Sequence, residues 1–412
     1  MNLYLFNAAD GSNMYGLGTY LKELIHALKG ADFNIHIVHL HSTSPEFEIE
    51  KIEDIENWYI PGVYNANTYT KSTQDLEDYC QNVVCLLRLN IKDTKDLIFH
   101  FNFNHYQLLA KELKTFFHCK TVITIHYTKW GNELHGNLSR LHALKKIPAN
   151  QRTSSEQMLF SSDKYDSLLY KEVDRIIALT QYTQNHLYSE YEIDSSKITV
   201  IPNGLEDINP LMDTNKAILR RKWHIPENEF LILFVGRLHA AKGVNHLIHA
   251  FRKVLEKIPE CRLVIAGHGN FQDYMKECEG IWTHVTWTGR VNKEKLYELY
   301  AIADIGVMPS LYEPFGYVAV EMMMHGLPIV ATSTSGLNEV VDETCGMKIP
   351  ISELSDKVEI DTELLAEKIA YLLEHPEDAK IMGQNGRKRY LKEYSSKVFS
   401  SNMLEFYSSL FL

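Results

Sequence analysis

The chain has 412 residues, 45% of them hydrophobic and 23% charged, which is enough for two domains that each bury a core. Its formal net charge of -11 argues against general nucleic-acid binding, which needs a positive field. The six cysteines include no Cys-x-x-Cys pair, so neither a zinc site nor a redox pair is indicated, and they read as thiols in a reducing compartment.

The N-terminal run Leu3 to Asn7 is a short strand, and it lacks the basic flank and long apolar stretch of a secretory leader. No stretch approaches the length of a membrane span, so a cytoplasmic protein is expected, with the inner membrane face as its one candidate membrane contact. A loop follows, then Gly16-Leu17-Gly18-Thr19-Tyr20-Leu21, then a helix with Leu21, Leu24, Ile25 and Leu28 on one face. Such a strand–glycine loop–helix unit either presents backbone N–H groups to an anion or is a plain turn.

Ile35 to Leu40, Leu97 to Phe101 and Thr121 to Ile125 read as further strands with helical segments between them, the pattern of parallel βαβ units. The last of these ends at His126, and a residue at the C-terminal end of a parallel strand faces the crevice where α/β sheets bind ligands. Residues 138–152 interleave Arg140, Lys145, Lys146 and Arg152 with Leu138, Leu141, Leu144 and Ile147. One reading is a basic amphipathic surface for a lipid-linked acceptor or an anionic membrane. The other is a solvated helix packing its leucines on the domain.

Val173 to Leu179 is another strand with Thr180 at a helix cap, and Ile198 to Gly204 is a strand ending in a Pro-Asn-Gly turn. The polar stretch 205–228, with Pro210 and Pro226, reads as the linker and first helix of a second domain. That domain opens on the buried strand Phe230 to Val235, followed by Gly236-Arg237 and by Lys242-Gly243 at a helix start. Two cations beside a helix N-terminus suit a diphosphate. Arg262 to Gly269 and Val285 to Val291, the latter containing Arg290, are two more strand-to-glycine turns.

The strand Ile305 to Met308 leads into Ser310-Leu311-Tyr312-Glu313-Pro314-Phe315-Gly316, which opens a helix. Pro314 suits a first helical turn, and N–H groups of Phe315, Gly316 and Tyr317 would offer an anion site. Glu313 precedes that site and Glu321 follows it by ~7 Å along the helix axis. Carboxylates are pure acceptors and bind sugar hydroxyls well. The C-terminal part is helical from about 362 to Leu373, and 386–412 is basic at first and then mixed with aromatics.

Glu313-Pro-Phe-Gly with Glu321 resembles the signature of retaining GT-B glycosyltransferases, specifically glycosyltransferase family 4 (glycosyl transferases group 1). Ser335-Gly336-Leu337-Asn338-Glu339-Val340-Val341 is similar to that family's Gly-Gly-x-x-Glu-x-Val segment, with Ser in place of the first Gly. Gly236-Arg237 with Lys242-Gly243 resembles its diphosphate clamp. Family members carry a Gly-Gly loop at Gly16, where this sequence has Tyr15, and a His-Asp pair at His126, where this sequence has Tyr127.

The resemblance implies an α/β fold of two Rossmann-like doubly wound domains facing across a cleft. The acceptor-side domain would be 1–205 and the nucleotide-sugar donor domain 206–385, with a C-terminal helix at about 386–412 crossing back to the first. It implies donor contacts at Gly16, Gly18, Gly236, Arg237, Lys242, Arg290, Val291, Glu313, Phe315, Gly316, Tyr317, Val318 and Glu321. Catalysis would fall to His126, Glu313, Arg237 and Lys242. No Asp-x-Asp occurs to hold a divalent metal, so the expected reaction is metal-independent hexosyl transfer with no cofactor. The donor would be a UDP- or GDP-sugar and the acceptor a glycan, lipid-linked, protein or small-molecule hydroxyl. Two alternatives stay open: a sugar-nucleotide binding or regulatory protein without transfer, and another GT-B activity such as sugar-nucleotide epimerisation.

Overall fold

A computed structural model of the chain describes residues 1–8, 16–62, 73–104, 106–208 and 216–412. Tyr15 and Pro210, both singled out in the sequence, lie outside the described residues. Two compact units divide the chain. The first takes Met1–Lys129, Leu144–Gly204 and Ser396–Leu412, and the second takes Trp130–Ala143 and Leu205–Ser395.

The first unit is built on eight strands: β1 (Asn2–Ala8), β2 (Asn34–Ser42), β3 (Glu48–Ile52), β4 (Ile55–Pro61), β5 (Leu97–Phe101), β6 (Cys119–Ile125), β7 (Arg175–Ala178) and β8 (Ile198–Val200). Their order is β3-β4-β2-β1-β5-β6-β7-β8. All neighbours are parallel except β3, which pairs antiparallel with β4. The central strands are mostly apolar and buried, and all five residues of β5 are buried, His100 among them. Strand order reverses at β1 and β5, so the crevice forms beyond their C-terminal ends.

The second unit holds β9 (Phe230–Val235), β10 (Cys261–Ala266), β11 (Val285–Gly289), β12 (Ile305–Met308), β13 (Ile329–Thr332) and β14 (Gly346–Ile349). They form one parallel sheet in the order β11-β10-β9-β12-β13-β14. This is the doubly wound order, and its reversal lies between β9 and β12. The helix Val244–Lys257 after β9 buries Val244, Leu247, Ile248, Phe251 and Val254, a 3.6-residue stripe that lies on the sheet. A short antiparallel pair, β15 (Ile351–Glu353) and β16 (Val358–Ile360), stands apart from the main sheet.

The units differ from the sequence expectation in two places. Residues 386–395 stay with the second unit because their side chains are tied there: Arg387 pairs with Asp207 at 2.7 Å, and Tyr390 donates to the Leu205 carbonyl at 2.9 Å. The helix belonging to the first unit is Ser396–Ser409, which buries Phe399, Met403, Phe406 and Tyr407 and lies along the helix Gly16–Leu28, where Ser400 donates to the Ala27 carbonyl. Residues 130–143 group with the second unit although they follow β6 in the chain.

Candidate active site

The reversal between β9 and β12 brings two loops side by side. The turn after β9 runs through Gly236 and Arg237 to a 3-10 turn at Ala240–Lys242. Its carbonyl at Ala241 accepts from the N–H of Leu311 at 2.8 Å, which locks it to the loop after β12. Gly243 closes the turn at φ 66, and a Cβ there would stand 1.8 Å from the Pro309 carbonyl oxygen. No other residue type lets the loops approach so closely. Lys242 is thereby set against Glu313, Nζ to Oε2 at 2.5 Å, with both side chains largely buried. Arg237 is exposed on the same turn. His239 lies near both cations; burial lowers its imidazole below the usual range, and Arg237 lowers it further.

Glu313 is fixed through its backbone. Ser335 accepts from the Glu313 N–H at 2.9 Å and donates to the Glu313 carbonyl at 2.8 Å, while Leu337 N–H donates to that carbonyl at 3.1 Å. Ser335 sits at φ 37, so the residue standing where the family has glycine keeps a glycine-like backbone and adds a hydroxyl clasp. The helix after Glu313 is Tyr317–Met324, with Gly316 as its N-cap at φ 99. Pro314 is therefore in the approach to the helix and not in its first turn: the left-handed Gly316 stops the helix from starting earlier. Phe315 is buried; Tyr317 and Val318, in the first turn, are half-buried.

Glu321 is 7% exposed and accepts from the Tyr300 hydroxyl at 2.8 Å. Burial raises its carboxyl above the usual range, and the Tyr300 bond and Lys293 pull it part of the way back. Tyr300 carried no motif and was invisible in the sequence, as was Ser335's clasp. Gly289 ends β11 at φ 66, and beyond it Arg290 is exposed and Val291 half-buried. Among the described residues no group of three or more His, Cys, Asp or Glu side chains is placed to hold a metal ion.

In the first unit, Gly16 and Gly18 lie in the first turn of the helix Gly16–Leu28 and not in a loop before it. His126 follows the end of β6. Its ring meets Tyr20 edge-on at 4.5 Å, and Nε2 is 3.5 Å from the Asn102 Oδ1. Burial pushes its imidazole down to about 3, so it is neutral near pH 7. Beneath it, His100 is fully buried between the Tyr407 hydroxyl at 2.6 Å and the Thr124 hydroxyl at 2.8 Å, and Thr124 also meets the Tyr20 hydroxyl at 3.0 Å. Tyr127 is exposed. The amphipathic stretch has Leu141 and Leu144 buried and Lys145 paired with Asp163 at 3.0 Å, so these leucines are spent on packing. Among the described residues no helix is long and apolar enough to cross a membrane.

The sequence profile described as Glycosyltransferase Family 4 matches residues 14–207, and that described as Glycosyl transferases group 1 matches residues 215–389. The chain belongs to glycosyltransferase family 4. The family 4 chain is 39% identical over 174 residues to an uncharacterized glycosyltransferase of Methanocaldococcus jannaschii, covering 40% of this chain and 44% of that one. It spans about half the length of the curated relatives it matches. Its fold is GT-B: it superimposes on sucrose-phosphate synthase from Thermosynechococcus elongatus with a TM-score of 0.74 at 22% identity, covering 100% and 99% of the two chains. Anabaena HepE, solved in complex with UDP-glucose, gives a TM-score of 0.71 at 17% identity over 100% of both chains.

Proposed function

We propose that this family 4 protein is a retaining, metal-independent hexosyltransferase that uses a UDP- or GDP-sugar and a hydroxyl acceptor in glycan or glycoconjugate synthesis. The observation that carries the reading is the pairing of Lys242 with Glu313 at 2.5 Å, at the strand-order reversal and one turn short of a helix start. A leaving diphosphate develops negative charge, and Arg237, Lys242 and the first-turn N–H groups of the helix Tyr317–Met324 meet it without a metal. Glu313 accepts from hexose hydroxyls, and Glu321, its second oxygen held by Tyr300, accepts from the ribose. In the first unit, His126, neutral near pH 7, is the proposed catalytic donor of one N–H. The anomeric C–O bond to phosphate breaks, the acceptor oxygen bonds the same face, and its proton passes to the leaving phosphate oxygen. UDP-glucose bound by Anabaena HepE supports a nucleotide-sugar donor.

A thermal-shift panel of UDP-glucose, GDP-mannose and ADP-glucose tests the donor class, since a ligand bound only by the native state raises the melting point. UDP-glucose or GDP-mannose, and not ADP-glucose, is expected to stabilise the protein and to be hydrolysed slowly without acceptor, undiminished by EDTA. No shift with any of them, or activity lost to EDTA and restored by Mn²⁺, overturns the reading.

A further inference from the structure

Residues 130–143 group with the second unit, and one side chain of that unit, Tyr312, is seated in the segment. Tyr312, 4% exposed, is the residue immediately before Glu313. Its ring occupies a slot made by two glycines. A Cβ at Gly131 would stand 2.3 Å from the Tyr312 Cζ, and one at Gly136, which sits at φ 76, would stand 2.9 Å from Cδ2. Trp130, 1% exposed, adds its ring at 6.2 Å. The slot is a closed turn, because the Gly136 N–H donates to the Gly131 carbonyl at 2.9 Å. A second tie holds it: fully buried Asn137 donates to the Leu354 carbonyl at 2.8 Å and accepts from the Arg140 N–H at 2.9 Å. Tyr312 thus anchors one side of its loop while the next side chain faces Lys242.

In the same segment, His135 and Glu133 lie close enough to His239, on the turn that bears Arg237 and Lys242, to interact with it electrostatically. Burial lowers the His135 imidazole, and His239 and Arg140 lower it further. Glu133 acts on both His135 and His239 in the opposite sense. Glu133 and His135 therefore act on the turn that bears Arg237 and Lys242 through His239.

We propose that residues 130–143 are a working part of the donor site and that Tyr312, keyed between Gly131 and Gly136, is a positioning residue that sets Glu313 for the sugar. This rests on the reading of Glu313 as the hexose contact. The nucleotide end is held by other groups, so loss of the key removes the sugar's contribution and spares the diphosphate's.

The experiment compares the affinities of UDP-glucose, GDP-mannose and ADP-glucose with those of UDP, GDP and ADP by calorimetry on the full chain. In Gly131→Ala the sugar nucleotide is expected to lose about tenfold or more of its advantage over the free diphosphate, whose own affinity changes less than about threefold. Tyr312→Leu, which removes the key without adding bulk, is expected to do the same. Adding Gly131→Ala to Tyr312→Leu is expected to cost no more than about twofold again, because the clash has gone. Tyr312→Phe keeps the ring and is expected to restore the ratio. An unchanged ratio in a folded Gly131→Ala, or in Tyr312→Leu should Gly131→Ala not fold, overturns this inference alone. If wild-type protein binds none of the six nucleotides, the proposed function falls and takes this inference with it.

Discussion

Lys242 meets a carboxylate before any donor arrives. The 2.5 Å pair with Glu313 is largely buried, so it is screened little by water, and under the proposed function a diphosphate would compete with Glu313 for the same ammonium. On the proposed reading, Glu313 would oppose a bare diphosphate and would offset that opposition only when a sugar donates hydroxyls to it. Removing it should separate the two effects. Glu313→Ala is expected to bind UDP or GDP at least about threefold tighter, on the order of 1 kcal/mol for one buried like charge removed. Transfer in the same variant is expected to fall by about a hundredfold or more. Lys242→Ala should lose both nucleotide affinity and turnover. Calorimetry beside a transfer assay checks this; weaker diphosphate binding by Glu313→Ala would show that the carboxylate supports the anion instead of competing with it. Glu313, Lys242 and Arg237 were legible in the sequence because each stands at a glycine-marked strand end. Tyr300 was not, because a tyrosine on the buried face of the helix Lys293–Ile302 reads as core until the fold sets its hydroxyl on Glu321.

At the scale of elements, the strand–glycine turns were the readable signal, and what escaped were elements without that punctuation. The hairpin β3–β4 turns on Glu53 and Asp54, both at positive φ (48 and 69), where Asn-Gly or Gly residues would have announced it. β13 and β14 are four residues each, too short for periodicity to declare. The segment 130–143 follows a first-unit strand in sequence, and its attachment to Tyr312 depends on long-range packing that no local pattern carries. The glycine turns also differ in what they tolerate. Gly243 and Gly289 share φ 66, yet a Cβ at Gly243 strikes the Pro309 carbonyl at 1.8 Å while one at Gly289 meets nothing within 4 Å. Gly289→Ala is expected to cost about 1 kcal/mol, the price of the left-handed backbone alone. Gly243→Ala is expected to cost more than about 3 kcal/mol, since the loops must part as well. Denaturant unfolding of the two variants side by side tests this; equal losses would mean that the loop after β12 gives way freely.

For the molecule as a whole, the C-terminal helix is bound to the first unit through a buried polar chain as well as through its apolar stripe. Tyr407 in that helix, His100 in β5, Thr124 in β6 and Tyr20 in the first helix are linked in series by bonds of 2.6, 2.8 and 3.0 Å. Burial pushes the His100 imidazole down to about 3. The unfolded chain protonates the same ring near pH 6.5, so between those values the unfolded state binds more protons and stability falls as pH falls. The loss from His100 is about 1.4 kcal/mol per pH unit below 6.5. His126 adds a loss of the same sign. Buried Asp166 and Glu321 act oppositely: burial raises both carboxyls, so the native state takes up their protons first and gains stability as pH falls. The net profile mixes these signs, but a difference isolates His100. The gap in unfolding free energy between wild type and His100→Gln, measured at pH 7, 6 and 5, is expected to shift against the wild type by about 2 kcal/mol over that range. A gap that stays flat would mean that Tyr407 and Thr124 accommodate a charged imidazole, and that the chain tying the C-terminal helix to the sheet does not depend on a neutral one.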